Sequence, residues 1–269
     1  MNRIKTLFEG RNKSDKVMNL FITAGYPTLE DTVDLILGYA QNGADIIELG
    51  MPFSDPLADG PTIQKSSEAA IANGLKMADI FDMVKKVRET SQIPIVLMGY
   101  LNPVLNYGLE LFFKNASEAG IDGLILPDVP VEESDLVVHF SDRFNVPLIY
   151  LVAPNSTDER MQLVDEKSDG FIYCVSVTGV TGARKGSDVQ QSVDLFIDRV
   201  NRNIRKNPVL IGFGISSYED ASRISEKAHG YVVGSALINN IESLKNDVNW
   251  KEKHFIFIRF LKFGAELHA

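Results

Sequence analysis

Short runs of apolar residues alternate along the chain with longer segments in which apolar residues recur at helical spacing. The short runs are rich in Ile, Val and Leu and are almost continuously apolar, as expected for parallel strands that are covered on both faces. They lie at 17–23, 44–49, 94–99, 121–127, 147–152, 170–176, 208–213 and 230–234. The pattern therefore predicts eight buried parallel strands.

Amphipathic segments follow the strands, and Gly or Pro marks many of the borders. The predicted helices lie at 30–42, 61–72, 77–90, 107–119, 131–143, 157–167, 190–205 and 217–227, with extra terminal helices at 1–10 and 250–263. Eight strand–helix units in 269 residues favour a closed parallel barrel over an open sheet. We therefore predict an α/β fold, a (β/α)8 TIM barrel with additional N-terminal and C-terminal helices, and one domain over residues 1–269.

Composition narrows the class of protein. The net charge of -9 argues against a nucleic-acid partner, because a phosphate backbone requires clustered Lys and Arg. No apolar run approaches the roughly 20 residues needed to span a bilayer, and the first residues lack the apolar stretch of a signal peptide. The lone Cys174 fits a reducing compartment. We expect a cytoplasmic protein without a membrane partner, or an organelle form whose transit peptide has been removed.

One carboxylate stands among apolar residues near the end of the second predicted strand. Glu48 shares a face with Ala44 and Ile46, whereas Ile47 and Leu49 lie on the opposite face. Since active sites of β/α barrels form where strands end, Glu48 either lines the interior near the mouth or points into the helix layer. Apolar surroundings should raise its pKa, which suits a group that exchanges protons near neutrality. The alternative is a structural Glu paired with a buried Lys or Arg.

The loop after this strand contains three prolines and two aspartates. Asp55 precedes Pro56 and Asp59 precedes Gly60, so each aspartate taken alone is more typical of a turn residue. Two carboxylates that face one pocket would nevertheless provide acid–base chemistry, if one donates a proton and the other stabilises positive charge.

Glycines also follow the seventh and eighth predicted strands. The two strand ends read Gly212-Phe213-Gly214 and Gly234-Ser235. This placement matches the usual phosphate site of β/α barrels, in which backbone N–H groups and a helix N-terminus hold the anion, and Gly182 could form a third edge. The alternative is that glycine is needed there only for close packing of helices on strands.

The segment 176–188 after the sixth strand is rich in glycine and long for a connection in a barrel. Such a segment is typical of a lid that closes over a substrate, and the alternative is a disordered surface loop. The four histidines are scattered along the chain, so we expect no metal site.

Several strings of the sequence resemble the tryptophan synthase alpha chain family. The longest is ELGMPFSDPLADGP at 48–61, and shorter matches follow in order over nearly the whole chain. They lie at 23–27, 98–103, 127–130 and 179–182, together with the two glycine clusters. The resemblance implies a carbon–carbon lyase of tryptophan biosynthesis, which cleaves indole-3-glycerol phosphate to indole and glyceraldehyde 3-phosphate by retro-aldol chemistry.

The resemblance also implies roles for individual residues. Glu48 would be the main acid–base group, and Asp59 would hold the indole N–H. Positions of the indole pocket are Phe21, Tyr100, Ile125 and Tyr173, with Thr181 in the lid. Positions of the phosphate site are Gly182, Gly212, Phe213, Gly214, Gly234 and Ser235. Positions tied to communication between subunits are Asp55, Pro56 and Asp128.

The expected partner is a beta chain that carries pyridoxal phosphate and receives indole through a tunnel in an alpha2beta2 heterotetramer. No cofactor is expected on this chain itself. One alternative is a stand-alone indole-3-glycerol phosphate lyase that does not depend on a beta chain. Another is a barrel that has lost its chemistry and serves only as a binding subunit, against which the presence of both Glu48 and Asp59 argues.

Overall fold

Eight parallel strands form the central sheet in the computed structural model, which describes residues 2–12, 14–175, 187–212 and 214–264. The strands are β1 (Val17–Thr23), β2 (Ile46–Gly50), β3 (Ile95–Met98), β4 (Gly123–Ile125), β5 (Leu151–Val152), β6 (Ile172–Val175), β7 (Val209–Gly212) and β8 (Gly230–Val233). They lie in the order β4-β3-β2-β1-β8-β7-β6-β5, and the neighbouring strands pair in parallel.

Contact between the two outermost strands closes the sheet. An isolated parallel bridge joins Leu124 of β4 to Leu148, just before β5. The Leu124 N–H donates to the Pro147 carbonyl at 2.8 Å, and the Ile149 N–H donates to the Leu124 carbonyl at 2.9 Å. The sheet is therefore a closed barrel, and the predicted (β/α)8 architecture is confirmed.

Helices surround the described strands. They are α1 (Arg3–Glu9), α2 (Asp31–Gln41), α3 (Pro61–Ala72), α4 (Met77–Arg88), α5 (Leu101–Tyr107), α6 (Leu109–Ala119), α7 (Asp135–Phe144), α8 (Asp158–Lys167), α9 (Ser187–Asn203), α10 (Tyr218–Ser225), α11 (Ser235–Leu244) and α12 (Trp250–Phe263), with a 3-10 helix at Val131–Glu133. The predicted terminal helices, and the two helices between the second and third strands, are confirmed.

Two of these helices were not predicted. α5 contains Pro103 in its first turn, where a proline is tolerated because that N–H has no partner within the helix, so the proline was no sign of a loop. α11 buries Leu237, Ile238 and Ile241, an apolar stripe too short to stand out in the sequence.

Side chains on alternate strand positions meet inside the barrel and form one apolar cluster. The cluster contains Val17, Ile46, Val96, Ile125, Ile149, Phe171, Leu210 and Val232. Ile4 of α1 joins it with none of its surface exposed. Arg3, its neighbour, forms an ion pair with Asp122 at 2.9 Å, at the amino end of β4. α1 therefore seals the end of the barrel opposite the carboxyl ends of the strands.

A larger apolar cluster lies between the strands and the surrounding helices. α12 contributes Ile258 and Leu261, both fully buried, and the partly buried Trp250. Its Phe255 lies against Gly38 of α2, where a Cβ atom would stand only 2.1 Å from the ring. Glycine therefore permits the close approach of α2 and α12, and the C-terminal helix packs on the outside of the barrel.

None of the described helices has the length and apolar character needed to cross a bilayer. The expectation of one domain over residues 1–269 stays a prediction. The predicted lid falls largely on residues 176–186, which lie outside the described residues.

Replacement of Ile4, which closes the amino end of the barrel, tests the role of α1. Ile4→Ala is expected to lower the free energy of unfolding by about 2–5 kcal/mol, because it removes buried methyl groups and leaves a cavity. Urea titration of the purified variant measures the change. Lys5→Ala on the exposed side of the same helix is the matched control, with an expected change within about 0.5 kcal/mol. Equal stability of Ile4→Ala and the parent protein would contradict a sealing role for α1.

Candidate active site

Glu48 lies in β2 with its side chain inside the barrel. The strand register pairs it with Phe21 of β1 and Val96 of β3, and only 1% of its surface is exposed. Asn19 of β1 donates a hydrogen bond from Nδ2 to Glu48 Oε2 at 2.9 Å. Among the described residues, no Lys or Arg forms an ion pair with this carboxylate. The interior orientation is therefore the one observed, and the carboxyl group is held by a neutral amide.

Burial controls the protonation of Glu48. It raises the pKa of the carboxyl group to about 8, since the apolar interior disfavours the charged form. The hydrogen bond from Asn19 opposes this rise, and the negative charge of Asp59 adds to it. At neutral pH the group is therefore mostly protonated, so it can donate a proton and afterwards take one back.

Asp59 lies in the loop between β2 and α3 and is partly buried. Burial raises its pKa, and a hydrogen bond from the Tyr100 hydroxyl opposes this rise. The same hydroxyl accepts the Ala58 N–H at 2.9 Å, and the Asp59 carbonyl accepts from Gln64 Nε2 at 2.8 Å. These contacts hold the loop so that the charge of Asp59 acts on Glu48.

The predicted pocket residues come together around the two carboxylates. Tyr173 of β6 has a raised pKa, first because it is buried and then because it faces the charges of Glu48 and Asp59. Tyr100 lies just after β3, at the N-cap of α5, and is 5% exposed. Ile125 belongs to the interior cluster, against which Tyr173 packs. Tyr173 therefore faces both carboxylates, and Tyr100 contacts Asp59.

Two glycines at inward strand positions make room for the aromatic rings. A Cβ atom at Gly50 would lie 2.6 Å from the ring of Phe21, and one at Gly212 would lie 2.8 Å from the Tyr173 hydroxyl. Any larger residue would displace these rings. Gly212 was predicted as part of a phosphate site, and in the structure it also shapes the neighbouring pocket.

The glycines predicted for a phosphate site lie at two neighbouring strand ends. Gly234 is the N-cap of α11 and Ser235 is its first residue, so the first N–H groups of this helix are available to an anion. Gly214 adopts a φ of +50°, with no atom within 4 Å of the position that a Cβ atom would occupy. The remaining predicted members, Thr181 of the lid and Gly182 and Phe213 of the phosphate site, lie outside the described residues.

The residues predicted for subunit communication lie apart from the buried carboxylate. Asp128 accepts the Leu101 N–H with both carboxylate oxygens, at 3.0 and 3.1 Å, and so caps the start of α5. Asp55 accepts a hydrogen bond from the Ser54 hydroxyl at 2.5 Å. With Pro56 and Leu57 it lines a surface cleft next to α3.

The sequence did not point to Asn19 as a site residue. A signal was present, because Asn19 is a polar residue within a strand of otherwise almost continuous apolar character. Period-two alternation places it on the same face as Val17 and Phe21, hence inside the barrel. Its partnership with Glu48 depends on the pairing of β1 with β2, which a single sequence does not give.

No group of three or more His, Cys, Asp or Glu within the described ranges could hold a metal ion. His254 is occupied elsewhere, with its ring nitrogens 2.6 Å from the Tyr39 hydroxyl and from Asn240 Oδ1. The expectation that this chain binds no metal stays a prediction.

Two carboxylates of raised pKa lie at the mouth of a β/α barrel, near the N-terminus of α11, and this arrangement suits acid–base chemistry. A family model described as tryptophan synthase alpha chain matches residues 8–262. The chain belongs to this family.

Individual relatives and solved structures agree with this family assignment. The tryptophan synthase alpha chain of Thermoanaerobacter pseudethanolicus is 44% identical over 263 residues, 97% of this chain and 99% of that protein. The corresponding chain of Geobacter sulfurreducens is 48% identical over 243 residues, 90% of this chain and 91% of that protein. The crystal structure of the alpha chain from Legionella pneumophila superposes with a TM-score of 0.87 at 36% identity, covering 98% of this chain and 97% of that one.

The raised pKa of Glu48 predicts a pH-dependent cost in stability. Between the ordinary value of 4.5 and about 8, the folded state binds this proton and the unfolded state does not, so stability falls as the pH rises. Above about pH 8 the carboxyl group is ionised in both states, so the loss of stability no longer changes with pH. Glu48→Gln is therefore expected to be more stable than the parent protein at pH 9, by up to about 4 kcal/mol, and the difference should shrink towards pH 4.5.

Chemical denaturation at several pH values measures this difference. Glu89→Gln, at an exposed position at the end of α4, is the control for loss of one carboxylate. A stability difference between Glu48→Gln and the parent protein that does not change with pH would rule out a buried proton on Glu48.

Proposed function

We propose that this chain cleaves indole-3-glycerol phosphate to indole and glyceraldehyde 3-phosphate, as the alpha chain of tryptophan synthase in tryptophan biosynthesis. The observation that carries the proposal is the buried Glu48, whose pKa of about 8 is set by the barrel interior and by Asp59, in a chain of this family. An unprotonated indole ring would have to leave as a carbanion, so cleavage requires protonation of the ring carbon that bears the glycerol phosphate chain. A buried carboxylic acid beside a second carboxylate meets this need.

Each carboxylate has a separate part in the proposed reaction. Glu48 donates its proton to the indole carbon, and the positive charge that forms on the ring is delocalised to the nitrogen. Asp59 accepts a hydrogen bond from the indole N–H and stabilises this charge. The carbon–carbon bond then breaks, its electron pair returns to the ring, and the neighbouring hydroxyl becomes the aldehyde. The proton of that hydroxyl returns to the Glu48 carboxylate, so protons balance over the cycle.

The remaining site residues bind the two ends of the substrate. Phe21, Tyr100, Ile125 and Tyr173 supply the apolar wall for the indole ring, and the raised pKa of both tyrosines keeps them neutral. The phosphate group is held by the N-terminus of α11 at Gly234 and Ser235, with Gly212 and Gly214 on the adjoining strand end. Thr181, Gly182 and Phe213 complete the lid and the phosphate site in this proposal.

We further propose a beta chain as the partner, in an alpha2beta2 complex, with pyridoxal phosphate on the beta chain and no cofactor on this one. Among the similar solved structures, a chain of the tryptophan synthase complex from Pyrococcus furiosus matches with a TM-score of 0.82 at 35% identity, covering 92% of this chain and 98% of that one. Leu57, in the loop of Asp55 and Pro56, is 94% exposed, which suits a contact with another chain. We propose a cytoplasmic location.

Substitution of Glu48 tests the proposed chemistry. Glu48→Gln is expected to lower the rate of indole release by roughly 10²–10⁴, because an amide cannot donate or accept the proton. Asp59→Asn should also lower turnover strongly, while both variants retain binding of an unreactive phosphate-bearing analogue. Glu89→Gln is the matched control, with unchanged turnover. Loss of less than about tenfold in Glu48→Gln would exclude Glu48 as the acid–base group.

Rates with and without a beta chain separate the proposed function from its alternatives. A tryptophan synthase alpha chain is expected to release indole slowly alone and much faster when the beta chain is added, since the proposed partner contact lies in the same loop as Asp59. High turnover without a partner would instead favour a stand-alone lyase. No indole release under either condition, in a folded protein, would favour a binding subunit that has lost its chemistry.

A further inference from the structure

The hydrogen bond between Asn19 and Glu48 links two buried side chains from neighbouring strands. We propose that Asn19 is a positioning residue, which holds the Glu48 carboxyl group in place in both of its protonation states and stabilises the ionised state more than the protonated one. The inference deepens the proposed function and rests on it for the reaction. The contact between Asn19 and Glu48 is independent of that function.

The pairing of β1 with β2 creates this contact. Phe21 stands opposite Glu48, and Asn19 stands opposite Ile46, one inward position closer to the sealed end of the barrel. Both Asn19 and Glu48 are buried, with 0% and 1% of their surfaces exposed. The Asn19 amide therefore approaches the Glu48 carboxyl group from the sealed end of the barrel. The side of the carboxyl group that faces the mouth of the barrel is left for a substrate.

The second polar atom of Asn19 is unusual. Within the described residues, Asn19 Oδ1 is buried and has no hydrogen-bond partner. A buried polar atom without a partner costs free energy, which an apolar side chain at this strand position would avoid. By contrast, the buried Asn207 donates from its amide to the Asp165 carbonyl and carboxylate, at 2.7 and 3.0 Å, and so ties two segments together. In the part of the chain that the structure describes, the amide of Asn19 contacts no such segment, and its one hydrogen bond goes to Glu48.

An amide can serve both forms of a carboxyl group. Nδ2 can donate to the ionised carboxylate through the contact with Oε2 seen in the structure, and Oδ1 can accept from the protonated acid once the amide plane has turned by half a rotation. The proposed reaction takes Glu48 through both forms in every turnover. A side chain that offered only a donor or only an acceptor would favour one form and slow the step that needs the other.

The charged and titratable groups that face Glu48 are Asp59, from the loop after β2, and Tyr173, from β6. Phe21 and Val96, which flank Glu48 on β1 and β3, carry no titratable group. Asp59 and burial both favour the protonated acid. Asn19 is therefore the described contact that favours the ionised form and keeps the carboxylate available to recover its proton.

Asn19→Leu, which keeps a similar volume but removes both polar atoms, tests the proposal in the full chain. Its kcat for indole release should fall by roughly tenfold at pH 7, with KM changed by less than about twofold, because one hydrogen bond to the reacting group is lost. The midpoint of the pH profile should rise, since the contact that favours the ionised form is gone. Thr23→Val is the matched control. It removes a buried polar group of the same strand that contacts Ser66 rather than Glu48, and should leave the midpoint unchanged.

A direct titration separates this proposal from the proposed function. The Glu48 carboxyl band, identified by infrared difference between the parent protein and Glu48→Gln, is followed against pH without any substrate. A higher midpoint in Asn19→Leu supports the positioning role even if the parent protein does not cleave indole-3-glycerol phosphate. The same midpoint in both proteins overturns it.

If Asn19→Leu does not fold, a measurement on the parent protein tests the coupling of the two side chains instead. In protein labelled with ¹⁵N-asparagine, one side-chain amide signal should shift with the midpoint of Glu48, and this shift should be absent in Glu48→Gln. If no asparagine amide signal shifts with that midpoint, the two side chains are not coupled and the proposal fails.

Discussion

Burial of an uncompensated carboxyl group inside a closed barrel is the constraint on which the site depends. Glu48 gains its raised pKa from the low polarity of the interior, and that polarity exists because β4 meets β5 and because Ile4 closes the far end. An open sheet would admit water beside β2, and the pKa would return towards its ordinary value. The architecture therefore contributes directly to the chemistry, beyond holding residues in place.

Buried acidic side chains have charged partners at one end of the barrel and a neutral partner at the other. At the amino ends of the strands, Asp122 forms ion pairs with Arg3 and Arg88 at 2.9 and 2.8 Å, and Asp45 is paired with Lys262 at 2.7 Å. These carboxylates bind the terminal helices to the barrel, and removal of a partner would leave a buried charge. At the carboxyl ends, the hydrogen-bond partner of Glu48 among the described residues is a neutral amide. The separation agrees with the general division of β/α barrels into a stable face and a functional face.

The sequence predicted the features that depend on local patterns. All eight strands were found because strands covered on both faces are apolar along their whole length, and Glu48 stood out because it interrupts one of them. The helix α5 was missed because Pro103 lies in its first turn, where proline does little harm. The choice between the interior and the helix layer for Glu48, and the role of Asn19, require the pairing of β1 with β2. Neither follows from one strand alone.

The strand order also explains how one site can hold two unlike groups. β1 lies between β2, which carries Glu48, and β8, which leads into α11. Phe21 of β1 spans the gap, because its Cβ atom lies 3.6 Å from the Cβ position of Gly234 and its ring tip lies 2.6 Å from that of Gly50. The proposed anion site and Glu48 are thus separated by about one aromatic side chain. In the proposed reaction, the short chain that joins the phosphate to the ring of indole-3-glycerol phosphate lets both ends bind at once, and a longer linker would carry the ring past Glu48.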